Sequence, residues 1–305
     1  MDLLIIGGGP AGLTAGIYAR RARLKALLVE KVSPGGQVLV TDLIENYPGF
    51  PEGIAGYELI DKMVAQAKRF GLEIKNDEVE KVIPGKKQGL IHVEFASRES
   101  IDCRTLILAT GASPNKLGVP GERELTGRGV SYCATCDGPF FRDLEVAVVG
   151  GGDSAVQEAL FLTKFAKKVY LIHRRDQLRA IKVLQEKALS NPKIQPVWNT
   201  VVESIQGKDK VESLELLNRK SGEKSTLKVE GVFVFVGITP NTEFVKGVVD
   251  MDERGFIKTD QWMQSSVKGI FAAGDCRAKP LRQVSTAVGD GATAAFAAEH
   301  IVSAS

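Results

Sequence analysis

Leu3-Leu4-Ile5-Ile6-Gly7-Gly8-Gly9-Pro10-Ala11-Gly12 decides how this chain folds. A continuous apolar run leads into a glycine turn, and Leu13 to Arg23, rich in Ala, Leu, Ile and Arg, reads as a helix. Gly7, Gly9 and Gly12 fit the spacing Gly-x-Gly-x-x-Gly. In that pattern the first glycine allows the tight turn, the second lets a pyrophosphate approach the backbone, and the third lets the helix pack close to the strand. A pyrophosphate placed there would meet the free N–H groups and positive end of the helix. The next apolar run, Ala26 to Val29, ends in Glu30, whose carboxylate can accept hydrogen bonds from both hydroxyls of a ribose. Strand, turn, helix, strand and terminal acid together predict a dinucleotide site on a parallel α/β sheet.

The same device occurs again. Leu144 to Val149 reads as a strand, Gly150-Gly151-Gly152-Asp153-Ser154-Ala155 as the turn, and the segment to about Phe165 as the helix, with Ala155 in the third glycine position. The two copies differ at the end of their second strand. Glu30 lies 23 residues after Gly7; the position 23 after Gly150 is His173, followed by Arg174 and Arg175, with Arg179 close behind. A carboxylate would repel a ribose 2′-phosphate, whereas guanidinium groups hold one through charge-assisted hydrogen bonds. The first site is thus expected to take a plain ribose and the second to prefer NADP(H).

Between the two sites, residues 31–56 form a long loop with turn signals, in which Gly36, Gln37 and Asn46 are candidates to meet a flavin ring. Tyr57 to Phe70 reads as an amphipathic helix. Thr105 to Ala109 is a buried strand that stops at Thr110-Gly111, and ligands of parallel sheets bind at such carboxyl ends. Near the other end of the chain, Gly269 to Ala273 is a short strand stopped by Gly274-Asp275. Asp275 is a candidate for a flavin ribityl hydroxyl, with helix capping as the plainer reading. Arg282, Gln283 and Val284 lead into a helix from about Thr286 to Ile301. Gly/Pro/Asn-rich stretches near Ala112–Pro120 and Gly237–Thr242 read as linkers around an inserted unit.

The inserted unit carries Ser131-Tyr132-Cys133-Ala134-Thr135-Cys136-Asp137-Gly138. Two cysteines at this spacing open and close as a disulfide, and a thiol at a helix start or beside a cation ionises near neutral pH. Half a zinc site is the other reading, but it needs a second ligand pair. Cys103 and Cys276 are single and His92, His173 and His300 are scattered, so redox chemistry is favoured. The 305 residues suffice for two domains. A net charge of +3 with no Lys/Arg block gives no argument for nucleic acid or an anionic membrane. No apolar run reaches the ~18 residues of a spanning helix. Met1-Asp2 stands directly before the first strand with no secretion leader, so a reducing cytoplasm is expected.

Taken in order, these stretches resemble the bacterial-type, low-molecular-weight thioredoxin reductases along nearly the whole chain. The likeness rests on Gly7–Gly12, Gly35-Gly36-Gln37, Asn46 to Gly49, Ala109-Thr110-Gly111, Cys133-Ala134-Thr135-Cys136-Asp137, Gly150–Ala155, His173-Arg174-Arg175-Asp176, Arg179-Ala180, Pro240-Asn241-Thr242, Gly274-Asp275 and Arg282-Gln283. It implies two three-layer, Rossmann-like α/β domains. FAD would lie on residues 1–114 and 242–305, and NADPH on the inserted residues 115–241. It further implies a homodimer that passes electrons from NADPH through FAD and the Cys133–Cys136 disulfide to thioredoxin. Cys136 would face the flavin, Cys133 would attack the partner's disulfide, and Asp137 would handle the proton; no histidine near the pair competes for that role. Many members of the family carry Tyr and His where this chain has Leu281 and Ile238.

Ferredoxin-type relatives that reduce NADP lack the cysteine pair, and relatives fed by other donors tend to lose the arginines, so Cys133, Cys136, Arg174 and Arg175 argue against both. A related flavin-dependent disulfide reductase, with another donor or a thioredoxin-like or glutaredoxin-like partner, is the alternative. A non-enzymatic flavin-binding sensor would need no NADP-selective site.

Overall fold

The computed structural model describes residues 1–41, 43–87 and 89–304. The chain begins β1 (Leu3–Ile6), α1 (Pro10–Arg21), β2 (Ala26–Glu30), α2 (Gly56–Arg69), β3 (Glu73–Asn76), β4 (Val79–Lys87), β5 (Leu90–Phe95), β6 (Ser100–Cys103) and β7 (Thr105–Leu108). It continues β8 (Ala112–Pro114), β9 (Val130–Ser131), α3 (Ala134–Asp137), β10 (Glu145–Gly150), α4 (Asp153–Leu162), β11 (Lys168–Ile172), α5 (Lys182–Leu189) and β12 (Ile194–Val197). Then follow β13 (Thr200–Gln206), β14 (Ser213–Asn218), β15 (Lys224–Lys228), β16 (Gly231–Phe235), β17 (Ile238–Pro240), β18 (Ile270–Ala272) and α6 (Val284–Ser303). Two compact units result: Met1–Ser113 with Thr239–Ser305, and Pro114–Ile238.

The first unit is built on a parallel sheet in the order β18-β7-β1-β2-β3. Its middle strand β1 is apolar at every position because both faces are covered. Leu3, Ile5, Leu28 and Ile107 pack under α1, α2 and α6. Leu4, Ile6, Leu27, Val29, Leu106 and Leu108 pack on the opposite face against Val82, Val93 and Phe95 of the antiparallel sheet β4-β5-β6. Alternation within each strand thus sends side chains to two different cores. The Ala/Gly content of α6 has a plain cause: a side chain at Gly291 would run into the backbone of Ala11, so α6 lies on α1 at backbone distance.

The second unit repeats this plan. Its parallel sheet runs β12-β11-β10-β16-β9. Val146, Val148, Val169, Leu171 and Phe233 face α4 and α5, whereas Val149, Ile172, Val232 and Val234 face the antiparallel sheet β13-β14-β15. Both units are therefore three-layer α/β structures, as the duplicated turn implies. Helix α5 and strand β6 lie outside the sequence reading; both are short, and α5 presents Val183 and Leu189 to solvent, which blurs its period. No helix among the described residues is long and apolar enough to cross a membrane.

Candidate active site

In the first unit the glycine turn caps the carboxyl end of β1. Gly7 has φ +105°, and a side chain there would strike the Ala109 carbonyl; one at Gly12 would strike the Gly7 carbonyl. A Cβ at Gly9, by contrast, would meet nothing within 4 Å. Protein thus fills the space beside the outer two glycines and leaves the middle one open, with Gly36 at its edge. Helix α1 starts with Pro10 and Ala11, and no side chain caps it, so its first amides are left for another acceptor.

Glu30 ends β2 and binds the turn itself. Its Oε2 accepts the Gly8 amide at 2.7 Å and its Oε1 the Val32 amide at 3.1 Å. Each oxygen keeps a lone pair for a further donor. Beyond the ends of β7 and β18, two buried oxygens have no hydrogen-bond partner: Thr110 Oγ1 and Asp275 Oδ1. Burial pushes the Asp275 carboxyl up, against the pull of Lys279 and Arg282. Asn46 Nδ2 donates to Gln283 Oε1 at 3.0 Å, joining two candidates 237 positions apart. The guanidinium of Arg282 lies over the Phe256 ring at 4.2 Å. Gly111 and Gly274 both have left-handed φ, at +68° and +77°. Gln37 is exposed on the short helical turn Gly36–Val40, and Val284 opens α6. Asp275 does not cap α6; Gln283 does, in a reciprocal pair with Thr286.

The second unit places Gly150, Gly151 and Gly152 at the end of β10. Gly152 matches Gly9: a Cβ there meets nothing within 4 Å, and no side chain caps α4. Asp153 and Ser154, both exposed, begin that helix, and Asp153 Oδ1 accepts the Ile181 amide at 2.8 Å. His173 is only 5% exposed and its ring lies against Gly151, so that any side chain at Gly151 would overlap it. Its Nε2 is buried without a partner. Burial, then Arg179, Arg174 and Arg175, lower the His173 pKa. The amide of Arg179 donates to the Gly151 carbonyl at 2.6 Å, which folds the basic segment back onto the turn. Arg174, Arg175 and Arg179 are exposed, and no carboxylate among the described residues ion-pairs with them.

Cys133 and Cys136 form a disulfide. Cys133 is the N-cap of α3 and Asp137 its last residue. Sequence reading passed over Ser131, which ties these together. It is 4% exposed, its hydroxyl donates to Asp137 Oδ2 at 2.5 Å, and it accepts the Cys133 amide at 3.1 Å. Thr135 Oγ1 lies 3.3 Å from the Cys133 sulfur. Next to the pair, Tyr132 donates to buried Glu122 at 2.9 Å, and its pKa is pushed up to about 12, first by burial and then by that carboxylate. Glu122 also accepts the Leu117 and Gly118 amides. Asn241 was likewise unassigned: its Nδ2 donates to the Thr110 carbonyl at 2.9 Å and its amide to that of Gly111.

An internal disulfide thus shares its α/β unit with a nucleotide-type glycine turn. The family model for pyridine nucleotide-disulphide oxidoreductases matches residues 1–291. The chain belongs to the pyridine nucleotide-disulphide oxidoreductase family. This oxidoreductase is 48% identical to a thioredoxin reductase of Peptoclostridium acidaminophilum, over 99% of its own length and 97% of the relative's. It is 47% identical to one from Bacillus subtilis, over 99% and 94%. The crystal structure of thioredoxin reductase from Streptococcus pyogenes MGAS5005 matches it with a TM-score of 0.95 at 48% identity, covering 100% of this chain and 98% of that one. The oxidoreductase therefore shares both its sequence and its architecture with thioredoxin reductases from end to end.

Proposed function

We propose that this oxidoreductase is an NADPH-dependent thioredoxin-disulfide reductase. One observation carries the reading: a Cys133–Cys136 disulfide at the start of a short helix, with Asp137 at its end, shares a unit with a glycine turn flanked by three exposed arginines that ion-pair with no carboxylate among the described residues. Full-length relatives named thioredoxin reductase support it.

FAD fits the first unit. Open space at Gly9 suits a pyrophosphate, Glu30 a ribose, and the orphan oxygens of Thr110 and Asp275 the polar chain of a flavin nucleotide. Gly36, Gln37, Asn46, Ala109, Gly111, Gly274, Arg282, Gln283 and Val284 would border it. NADPH fits the second unit, with Gly150, Gly152, Asp153 and Ser154 at the pyrophosphate and Arg174, Arg175 and Arg179 at the 2′-phosphate. We assign residues 1–114 and 242–305 to FAD and residues 115–241 to NADPH. His173, buried and neutral under the turn, shapes that site without adding charge.

Once bound, NADPH and FAD supply two electrons as a hydride equivalent. The Cys133–Cys136 bond takes them up and opens. Cys133, at the helix N-cap with Thr135 beside it, is placed to ionise and attack a partner disulfide. Cys136 then closes on Cys133 and expels the partner's second thiol. Asp137, held by Ser131, takes and returns the proton. In net, one NADPH and one proton reduce one disulfide to two thiols. A homodimer in a reducing cytoplasm completes the proposal, and the dimer is checked by sedimentation equilibrium.

The test is anaerobic. NADPH or NADH is added to the flavoprotein, flavin bleaching is followed, and oxidised thioredoxin is then supplied. Bleaching by NADPH and reoxidation by thioredoxin are expected. Bleaching by neither nucleotide would move the assignment to a reductase fed by another donor. Bleaching without reoxidation would move it to a different disulfide partner.

A further inference from the structure

The loop after β18 buries a lysine beside Asp275. Lys279 is 5% exposed along its side chain, an unusual place for an ammonium group, which is buried only when paired. Its Nζ lies 2.9 Å from Asp290 Oδ2, 3.2 Å from Thr286 Oγ1 and 3.6 Å from Asp275 Oδ1. Asp290, on α6, is shared further: Arg277 Nη1 reaches its Oδ1 at 3.1 Å and the Gly274 amide its Oδ2 at 3.0 Å. Arg277 is itself fixed by Thr259 Oγ1 at 3.0 Å.

This network grips both residues of the Gly274-Asp275 stop at once. Asp290 holds the Gly274 backbone, which stands in a left-handed turn where any side chain would crowd the Ala11 methyl of the first glycine motif. Lys279 stands over Asp275 Oδ1, the oxygen that is buried and accepts no hydrogen bond. The ammonium is near enough to fix charge and direction but has its short contacts elsewhere. The Asp275 oxygen is left as an acceptor without a donor, which is costly in a folded protein unless something else supplies one.

We propose that Lys279 is a positioning residue for the flavin nucleotide: bridging Asp290 and Asp275, it holds the Asp275 carboxylate as a fixed acceptor for a hydroxyl of the bound cofactor. The inference rests on the FAD reading of the first unit.

The test is release of FAD from the purified holoprotein, followed by free-flavin fluorescence after dilution. Lys279→Met should speed release about tenfold to a hundredfold, the range for losing a charge-assisted hydrogen bond. Lys279→Arg keeps the charge and should stay much closer to the parent, whereas a pure packing role would make the bulkier arginine at least as harmful. In an Asp275→Asn background, Lys279→Met should add little, because the acceptor it serves is already altered. Equal losses in both backgrounds, or Met and Arg variants alike, would overturn the inference. Should Lys279→Met not fold, Lys279→Gln removes the charge while keeping a polar end and carries the same comparisons. A parent protein unable to hold FAD would sink the flavin reading together with this one; a FAD-bound parent whose release rate ignores Lys279 would sink this one alone.

Discussion

The two glycine turns share a backbone plan and differ in what lies beneath their second glycine. Under Gly8 sits the Glu30 carboxylate, accepting the Gly8 amide at 2.7 Å. Under Gly151 sits the His173 ring, close enough to forbid any side chain there. Both come from the same position in the parallel ladder, one step past the pairs Ile6↔Val29 and Val149↔Ile172. An acid accepts ribose hydroxyls and repels phosphate; a neutral imidazole brings no charge to repel phosphate and leaves the arginines beyond it unopposed. One strand-end residue and its successors thus tell two otherwise equal sites apart, while the rest of each turn supplies a generic anion cradle.

The strongest break in the comparison removes what only the second unit carries. Cys136→Ser leaves both turns untouched but takes away the disulfide. Thioredoxin reduction should fall by roughly three orders of magnitude or more, as for loss of a covalent reactant, while NADPH still bleaches the flavin. Full turnover in this variant would sink the assignment.

A smaller but sharper effect follows from the arginines. In Arg174→Ala/Arg175→Ala the KM for NADPH should rise about a hundredfold, from the loss of charge-assisted contacts, while that for NADH barely moves. His173→Glu would install the first unit's acid in the second and should cost NADPH about tenfold through repulsion alone. If NADH and NADPH suffer alike, the basic segment does not read the 2′-phosphate.

The open glycines supply a test without any charge change. Gly9→Ala meets no protein atom within 4 Å and stands at an ordinary φ, so the fold should keep its stability. Its methyl group would occupy cofactor space, so FAD should be held several-fold more weakly, by about 1–2 kcal/mol. Gly7→Ala, with left-handed φ and a clash on Ala109, should instead lower the unfolding midpoint. Equal destabilisation by the two variants would mean that the open space is not real.

These residues also show what a sequence can and cannot disclose. Turns, flanking strands and strand-end residues are written within about 30 positions of each other, because each unit forms from contiguous chain. Glu30, His173 and the arginines were legible for that reason. Ser131 was not: a serine two residues before a cysteine is unremarkable until α3 folds back and brings Asp137 to its hydroxyl. Asn241 was hidden by distance, since it acts on Thr110 from 131 positions away, and Lys279 was hidden because a loop lysine shows no partner until α6 brings Asp290 beside it. Asn46 was visible as a polar loop residue, but its partner Gln283 was not. Local pattern specifies the cradle, and only three-dimensional closure specifies the side chains that orient it.

The smallest expected effect concerns acid. Burial and three neighbouring arginines lower the His173 pKa, so the folded chain keeps this ring neutral at a pH where the unfolded chain has begun to protonate it. Between the depressed folded value and the ordinary ~6.5, the unfolded state therefore binds more protons. Stability from this group is complete above about pH 6.5 and is lost as the pH falls through that window toward the folded value. His300, on α6, and His92, between Asp102 and Glu94, lie in the other unit and are left untouched by any variant of His173. The measurement is the unfolding midpoint without nucleotide at pH 7.5 and pH 5.5, in the parent and in His173→Asn, which cannot titrate. The parent should lose more on acidification than the variant does, and Arg174→Ala/Arg175→Ala should narrow the gap by relieving part of the repulsion. Equal losses in parent and His173→Asn would show that the ring takes up its proton as readily folded as unfolded. The difference between a carboxyl group beneath the first turn and a neutral ring beneath the second would then have to be given up.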